Sequence, residues 1–250
     1  YAVLRPSMLP SILKIFQYNF NRSNYDLAFF ELGKIYFYDN GPIERKAVVI
    51  GFSGSKYRDC FGNNLDYNFF DLKSVLGILT GRFGIDKYEI VQEENQFFSK
   101  SCSSAIWVNH QKLAVCGKIS ESAMEFYELK KELYIAEIYL DILKTLSKKN
   151  IRYQRLPQHP AVERDMALIL SESVSAQDVI EKINNRNELI SNIEIVDVYQ
   201  GKQIPPGKKS LAIRITYRSL DRTLKDDEVD KIESDLKNIL LSELSCQIRE

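Results

Sequence analysis

The chain has 250 residues, 44% hydrophobic and 27% charged, a globular composition at a length that suits one large domain or two ordinary ones. Its 34 basic and 34 acidic side chains cancel, which weighs against a uniformly basic nucleic-acid binder but leaves local asymmetry open. Four cysteines without CxxC spacing and only two histidines argue against a zinc site, and no apolar run reaches the ~18 residues of a membrane span.

A start at Tyr1, with no signal-peptide pattern, reads as a piece of a longer polypeptide, cytoplasmic and with no membrane partner. Leu9, Ile12, Leu13, Phe16 and Phe20 recur at helical spacing, and Pro10 sits where an early turn tolerates it. Residues 27–38 (LAFFELGKIYFY) are rich in aromatic and β-branched residues and predict a strand, followed by a second at 47–52. Phe70, Leu72, Val75, Leu76, Leu79 and Phe83 predict one buried helix face. Strands at 105–108 and 113–116 flank Asn109-His-Gln-Lys112, the pattern of a hairpin, and 133–143 predicts a closing strand. From Lys144 to Pro160 come Lys144, Lys148, Lys149, Arg152 and Arg155 with no acidic residue, a solvated linker or a polyanion contact.

The second half predicts a strand at 165–170. A helix starts at Ser175 with Asp178 three residues on, its inner face formed by Val179, Ile180 and Ile183. A strand at 193–199, a turn at 201–207 with Pro205 and Pro206, and a strand with strict alternation follow. Leu211, Ile213, Ile215 and Tyr217 take one face, and Ala212, Arg214, Thr216 and Arg218 the other. Val229, Ile232, Leu236, Ile239 and Leu240 make a helical stripe capped near Thr223 or Asp226, and Leu244, Cys246 and Ile248 end the chain as a strand. This β-α-β-β-α-β order predicts a ferredoxin-like domain with both helices on one face of a four-stranded antiparallel sheet and the other face open. Many functions use that fold, so it does not decide among them.

Specific words narrow the choice. Pro160-Ala-Val-Glu-Arg-Asp-Met-Ala167, Asp197-Val-Tyr-Gln-Gly-Lys202, Gly207-Lys-Lys-Ser-Leu-Ala212 and Asp221-Arg-Thr-Leu224 occur in that order. Together they resemble the ferredoxin-fold anticodon-binding domain that ends the β chain of bacterial phenylalanyl–tRNA synthetases. Upstream, Leu4-Arg-Pro-Ser-Met-Leu-Pro10, Phe30-Glu-Leu-Gly33 and Phe69-Phe-Asp-Leu-Lys73 resemble the synthetase-like core module of the same chain. Gln203, where a small residue is usual, and His159, where an aromatic is usual, depart from the pattern.

The resemblance implies an α+β chain in three parts. A catalytically silent, class II synthetase-like antiparallel-sheet module covers 1–148, a basic linker 149–159, and the tRNA-binding domain 160–250. It implies a heterotetramer of two α and two β chains that joins phenylalanine to tRNA-Phe, with the active site on α. ATP and Mg2+ would serve the complete enzyme, and this chain would hold no cofactor itself.

The residues agree that catalysis lies elsewhere. There is no GxxxxGK[ST], HExxH or GxSxG word. Phe29 and Phe30 precede Glu31 where a class II site needs a phosphate-clamping arginine, and Gly81-Arg-Phe-Gly84 reads as a helix cap. Glu31 and Asp71 read as strand-end and helix-start residues rather than a carboxylate pair, and His159 as packing or exposed. The aromatics Phe29, Phe30, Tyr36, Phe37, Tyr38, Phe69 and Phe70 suit core or a subunit interface. Candidate tRNA contacts are Arg214 and Arg218 on one strand face, Lys202, Lys208 and Lys209 in the loop joining the second and third strands, Arg222 in the loop before the second helix, and Arg164. Two other readings stay open, an amino-acid-sensing regulatory protein and a purely structural scaffold.

Overall fold

The computed structural model describes residues 3–147 apart from 59 and 86, and 157–249 apart from 185, 202 and 245. The chain forms two compact units, Tyr1–Arg152 and Tyr153–Glu250. The basic tract at 148–156 lies outside the described residues.

The first unit comprises α1 (Leu9–Phe20), β1 (Leu27–Tyr38), β2 (Pro42–Ser53), β3 (Ser55–Arg58), β4 (Asn64–Asp66), α2 (Phe69–Arg82), β5 (Glu89–Gln92), β6 (Phe98–Val108), β7 (Gln111–Ile119), α3 (Glu121–Phe126), β8 (Leu133–Tyr139) and α4 (Leu140–Leu146). Six strands pair antiparallel in the order β1-β2-β8-β7-β6-β5, while β3 and β4 form a separate hairpin. The sheet is covered on both faces. On one, Ile12, Leu13 and Phe16 of α1 pack with Val49, Val115 and Ile135. On the other, Leu72 and Leu76 of α2 and Leu143 of α4 pack with Val48, Cys116, Ala136 and Ile138. Alternate residues of β8 therefore belong to different cores. Gly51 has no Cβ where one would meet the Phe16 ring at 2.6 Å, so α1 can lie close to β2.

Local chemistry fixes the ends of these elements. Asn109 and His110 both take positive φ, 48° and 61°, giving the two-residue turn that joins Val108 to Gln111 in the predicted hairpin. Asn68 and Asp71 form a reciprocal capping box at the start of α2. At its end Gly84, at φ 69°, donates to Gly81 O, and Ile85 donates to Thr80 O. That pairing is a Schellman motif, so the Gly81–Gly84 cluster is a cap, as its sequence suggested.

Two expectations change. The run at 133–143 is a strand only to Tyr139, and α4 begins at Leu140 with no side-chain cap to announce it. Phe70 is 72% exposed, because the buried stripe of α2 runs through Leu72, Leu76 and Thr80 instead.

The second unit comprises β9 (Val162–Ser171), α5 (Ala176–Ile183), β10 (Ile190–Tyr199), β11 (Lys208–Tyr217), α6 (Asp226–Leu244) and β12 (Gln247–Arg249). The order β10-β11-β9-β12 is antiparallel throughout, the ferredoxin-like arrangement read from the sequence. Both helices cover one face. Val179 and Ile183 of α5 and Val229, Leu236 and Leu240 of α6 pack on Met166, Leu168, Leu170, Leu211, Ile213, Ile215 and Tyr217. Ser175 and Asp178 form the predicted capping box, and Gly207, at φ 76°, closes the turn before β11. The last helix starts at Asp226 and runs through Leu244, which the sequence had placed in the final strand. At the edge, β10 pairs on one side only, has a register shift between Ile195 and Asp197, and exposes Ile195, Val196 and Val198.

Candidate nucleic-acid interface

Alternation along β11 puts Arg214 opposite the buried Ile213 and Ile215, on the sheet face that carries no helix. Its register partner on β9 is Asp165 and on β10 Glu194. The guanidinium donates to both oxygens of Asp165, at 2.7 and 2.8 Å, and lies 3.8 Å from Glu163. This fork raises the guanidinium pKa and holds the Asp165 carboxyl below its ordinary range. A cation expected to be open on this face is therefore already matched by carboxylates.

The same holds for two more arginines. Arg164 reaches Asp226 at 2.9 Å, Asp230 at 3.5 Å and Glu233 at 3.9 Å, which joins β9 to the first turns of α6. Arg222, in the loop before α6, grips Glu228 with two bonds of 2.8 and 2.6 Å and lowers its pKa. These pairs are solvent-exposed, so salt screens them and an incoming phosphate can compete for the cation.

The lysines differ. Lys208 and Lys209 open β11 at the Gly207 turn, and neither forms an ion pair among the described residues. The ammonium of Lys209 donates to the Glu172 carbonyl at 3.1 Å, a neutral partner. Lys202 lies outside the described residues. Arg218 does not share a strand face with Arg214, because β11 ends at Tyr217. Its backbone N–H donates to Leu189 O at 2.7 Å, and its Nε is buried with no hydrogen-bond partner. The candidates thus divide into paired arginines, Lys208 and Lys209 at one end of the sheet, and Arg218 at the edge of the core. Sequence spacing could not expose that division, since the carboxylates that hold Arg164 lie more than sixty positions away.

In the first unit Glu31 and Asp71 have separate cations. Glu31 pairs with Arg5 at 3.1 Å, and Asp71 pairs with Lys56 at 2.5 Å while accepting the Asn68 N–H. Arg5 also bonds Ser11 Oγ and the Lys34 carbonyl. It fits there because Gly33 has no Cβ, which would otherwise collide with the guanidinium. His159 is half-buried. Among the described residues no three His, Cys, Asp or Glu side chains gather as metal ligands, and no helix is long and apolar enough to cross a membrane.

Comparison with known proteins adds the family. Residues 1–140 match the model for the phenylalanyl tRNA synthetase beta chain CLM domain, and residues 157–249 match the ferredoxin-fold anticodon binding domain. The phenylalanine–tRNA ligase beta subunit of Clostridium tetani is 32% identical over 255 residues, covering all of this chain and 31% of that protein. Its Thermotoga maritima counterpart is 29% identical over 233 residues, covering 92% and 29%. The chain thus spans about a third of the length of the curated relatives it matches. Among solved structures, pyrrolysyl-tRNA synthetase from Desulfitobacterium hafniense aligns at TM-score 0.45 and 15% identity over 57% of this chain and 49% of that one, too partial a likeness to argue from. With 140 of 250 residues matched by its core model and a second model matched behind it, the chain belongs to the phenylalanyl tRNA synthetase beta chain family.

Proposed function

We propose that this chain is the part of a phenylalanine–tRNA ligase β subunit that contacts tRNA-Phe and an α chain while the chemistry proceeds on α. The ligase joins phenylalanine to tRNA-Phe at the expense of ATP, in the cytoplasm, as an α2β2 assembly. ATP and Mg2+ would be held by the α chain. The residues here do not fit a triphosphate, because Arg5 is committed to Glu31 and the Gly81–Gly84 amides close a helix C-terminus. Organisation as a silent module at 1–148, a linker at 149–159 and a tRNA-binding domain at 160–250 goes with this reading.

One observation carries the tRNA reading. In a domain matched to anticodon binding, Lys208 and Lys209 open β11 at the Gly207 turn, each without an ion pair among the described residues. Lys202 and Arg218 are further candidates by sequence, Arg214 and Arg222 join by exchanging carboxylate for phosphate, and Arg164 lies on the helix-covered side against α6. Each neutralised phosphate releases about one counterion. Replacing Lys208 and Lys209 by Gln in the assembled enzyme should flatten the logarithmic salt dependence of tRNA binding by roughly two. Phenylalanine-dependent pyrophosphate exchange should be unchanged. Equal tRNA affinity across the salt series sinks this placement.

Support for an α-chain interface comes from Phe30 and Leu32, 67% and 62% exposed on the edge strand β1. Phe30→Asp with Leu32→Asp should weaken co-sedimentation with α. An intact assembly would move the interface elsewhere.

A further inference from the structure

An open cavity of about 450 Å³ lies on the α1 side of the first unit's sheet, bounded by Pro6, Ser7 and Leu9 before and within α1, the 94–97 turn, and Val115, Glu137 and Tyr139 of the strands. Glu137 stands on its wall and is 1% exposed. Its Oε2 accepts from Ser7 Oγ at 2.5 Å and from the Met8 N–H at 3.3 Å, and Ser7 Oγ in turn accepts the Leu9 N–H that opens α1. Its Oε1 is buried with no hydrogen-bond partner. A half-satisfied buried carboxylate is unfavourable by far more than a surface group, so it calls for a donor.

Among the described residues none bonds it: Arg5, whose charge acts on Glu137, turns Nε to the Lys34 carbonyl and Nη1 to Ser11 and Glu31. The other charged group on the cavity wall is Glu94, exposed at the rim and 4.0 Å from Lys100. Leu9, Phe97 and Val115 supply an apolar lining beside these carboxylates.

We propose that this cavity binds a small organic cation, a primary ammonium on an apolar stem, with the ammonium bonded to Glu137 Oε1 and the stem against Leu9, Phe97 and Val115. A –NH3+ group brings three donors and the opposite charge for the unpaired Oε1. The stem gains by leaving water for an apolar wall. The proposal is independent of the tRNA and α-chain contacts.

The test is methyl-detected NMR on the 250-residue chain, titrated with n-butylammonium and, separately, with its neutral isostere n-butanol. Saturable shifts of the Leu9 and Val115 methyls, with n-butylammonium at least tenfold the tighter, are expected. Glu137→Gln keeps an oxygen for Ser7 and Met8 while removing the charge, and should erase that tenfold preference. Equal binding of the two probes to the wild type, or no saturable shift at either methyl, overturns the proposal. A second variant, Glu94→Gln, guards against a folding defect in the first. It should weaken n-butylammonium less than Glu137→Gln does, and the reverse order would relocate the cation to the rim and refute the role of Oε1.

Discussion

The two sheets of this chain solve the same problem differently. In the first unit, helices cover both faces, so successive residues of β8 such as Ile135 and Ala136 are both buried and belong to different cores. In the second, helices cover one face, so β11 alternates between fully buried Ile213 and exposed-face Arg214. A two-sided sheet writes itself as an uninterrupted apolar run, and a one-sided sheet as a period of two. Only the second kind has a broad strand surface left for a partner.

The sharpest way to break this comparison is to place one polar residue at adjacent strand positions. Ile135→Asn and Ala136→Asn should each destabilise the first unit by about 3 kcal/mol or more, since both bury an unsatisfied amide. In the second unit Ile213→Asn should do the same, while Ala212→Asn should stay within about 0.5 kcal/mol. Urea denaturation followed separately for each unit would show it. A severe Ala212→Asn, or a mild Ala136→Asn, would dissolve the contrast.

A smaller effect is expected at Gly33, whose missing Cβ admits the Arg5 guanidinium. Gly33→Ala should cost about 1–3 kcal/mol by displacing Arg5 from Glu31, and the loss should shrink in an Arg5→Ala background. Purely additive effects would mean that the contact does not matter.

At the helix starts the two units should behave alike. Asn68→Ala and Ser175→Ala each remove a capping box, and each should lower stability by about 1 kcal/mol in thermal unfolding. A difference well beyond that figure would show that burial of the helix, not its cap, sets the cost.

The mildest effect is in acid, where the units should move in opposite senses. Burial raises the Glu137 carboxyl above its ordinary 4.5, so folding favours its protonated form. Its contribution is present in full below 4.5 and fades as pH rises through the higher folded value. In the second unit Arg214 depresses Asp165 and Arg222 depresses Glu228, from 3.8 and 4.5. Their contribution is present above those values and is lost as pH falls through the lower folded ones. A pH series of urea midpoints for wild type and Glu137→Gln should show the variant losing the acid-side gain in the first unit alone. Identical curves would remove Glu137 from the account.

What could be read from residues followed from burial. The strand at 27–38 was legible because five aromatics and Ile35 crowd its twelve positions. The ferredoxin-like order was legible because Leu211, Ile213, Ile215 and Tyr217 repeat at period two. The hairpin of β3 and β4 was not, since Tyr57 and Leu65 are exposed and leave no apolar pattern, and neither was the wholly exposed β5. Of the candidate site, the residue types and the turn bearing Lys208 and Lys209 were readable. The pairing of Arg164 and Arg214 was not, because the partners meet only when strands and helix assemble. Glu137 gave no signal either. One carboxylate in an apolar strand reads as a surface residue until the opposite face is known to be covered.

The register shift in β10 has a bearing on solubility. An edge strand carrying Ile195, Val196 and Val198 in the open is a template on which another chain could add a strand and begin a fibril. The irregularity between Ile195 and Asp197 interrupts the straight row of amides and carbonyls such growth needs. Glu194 and Asp197 set like charges where two such edges would meet. Deleting Val196 would straighten the edge while leaving the buried core untouched, and the altered chain should form thioflavin-positive aggregates at concentrations where the parent stays dispersed.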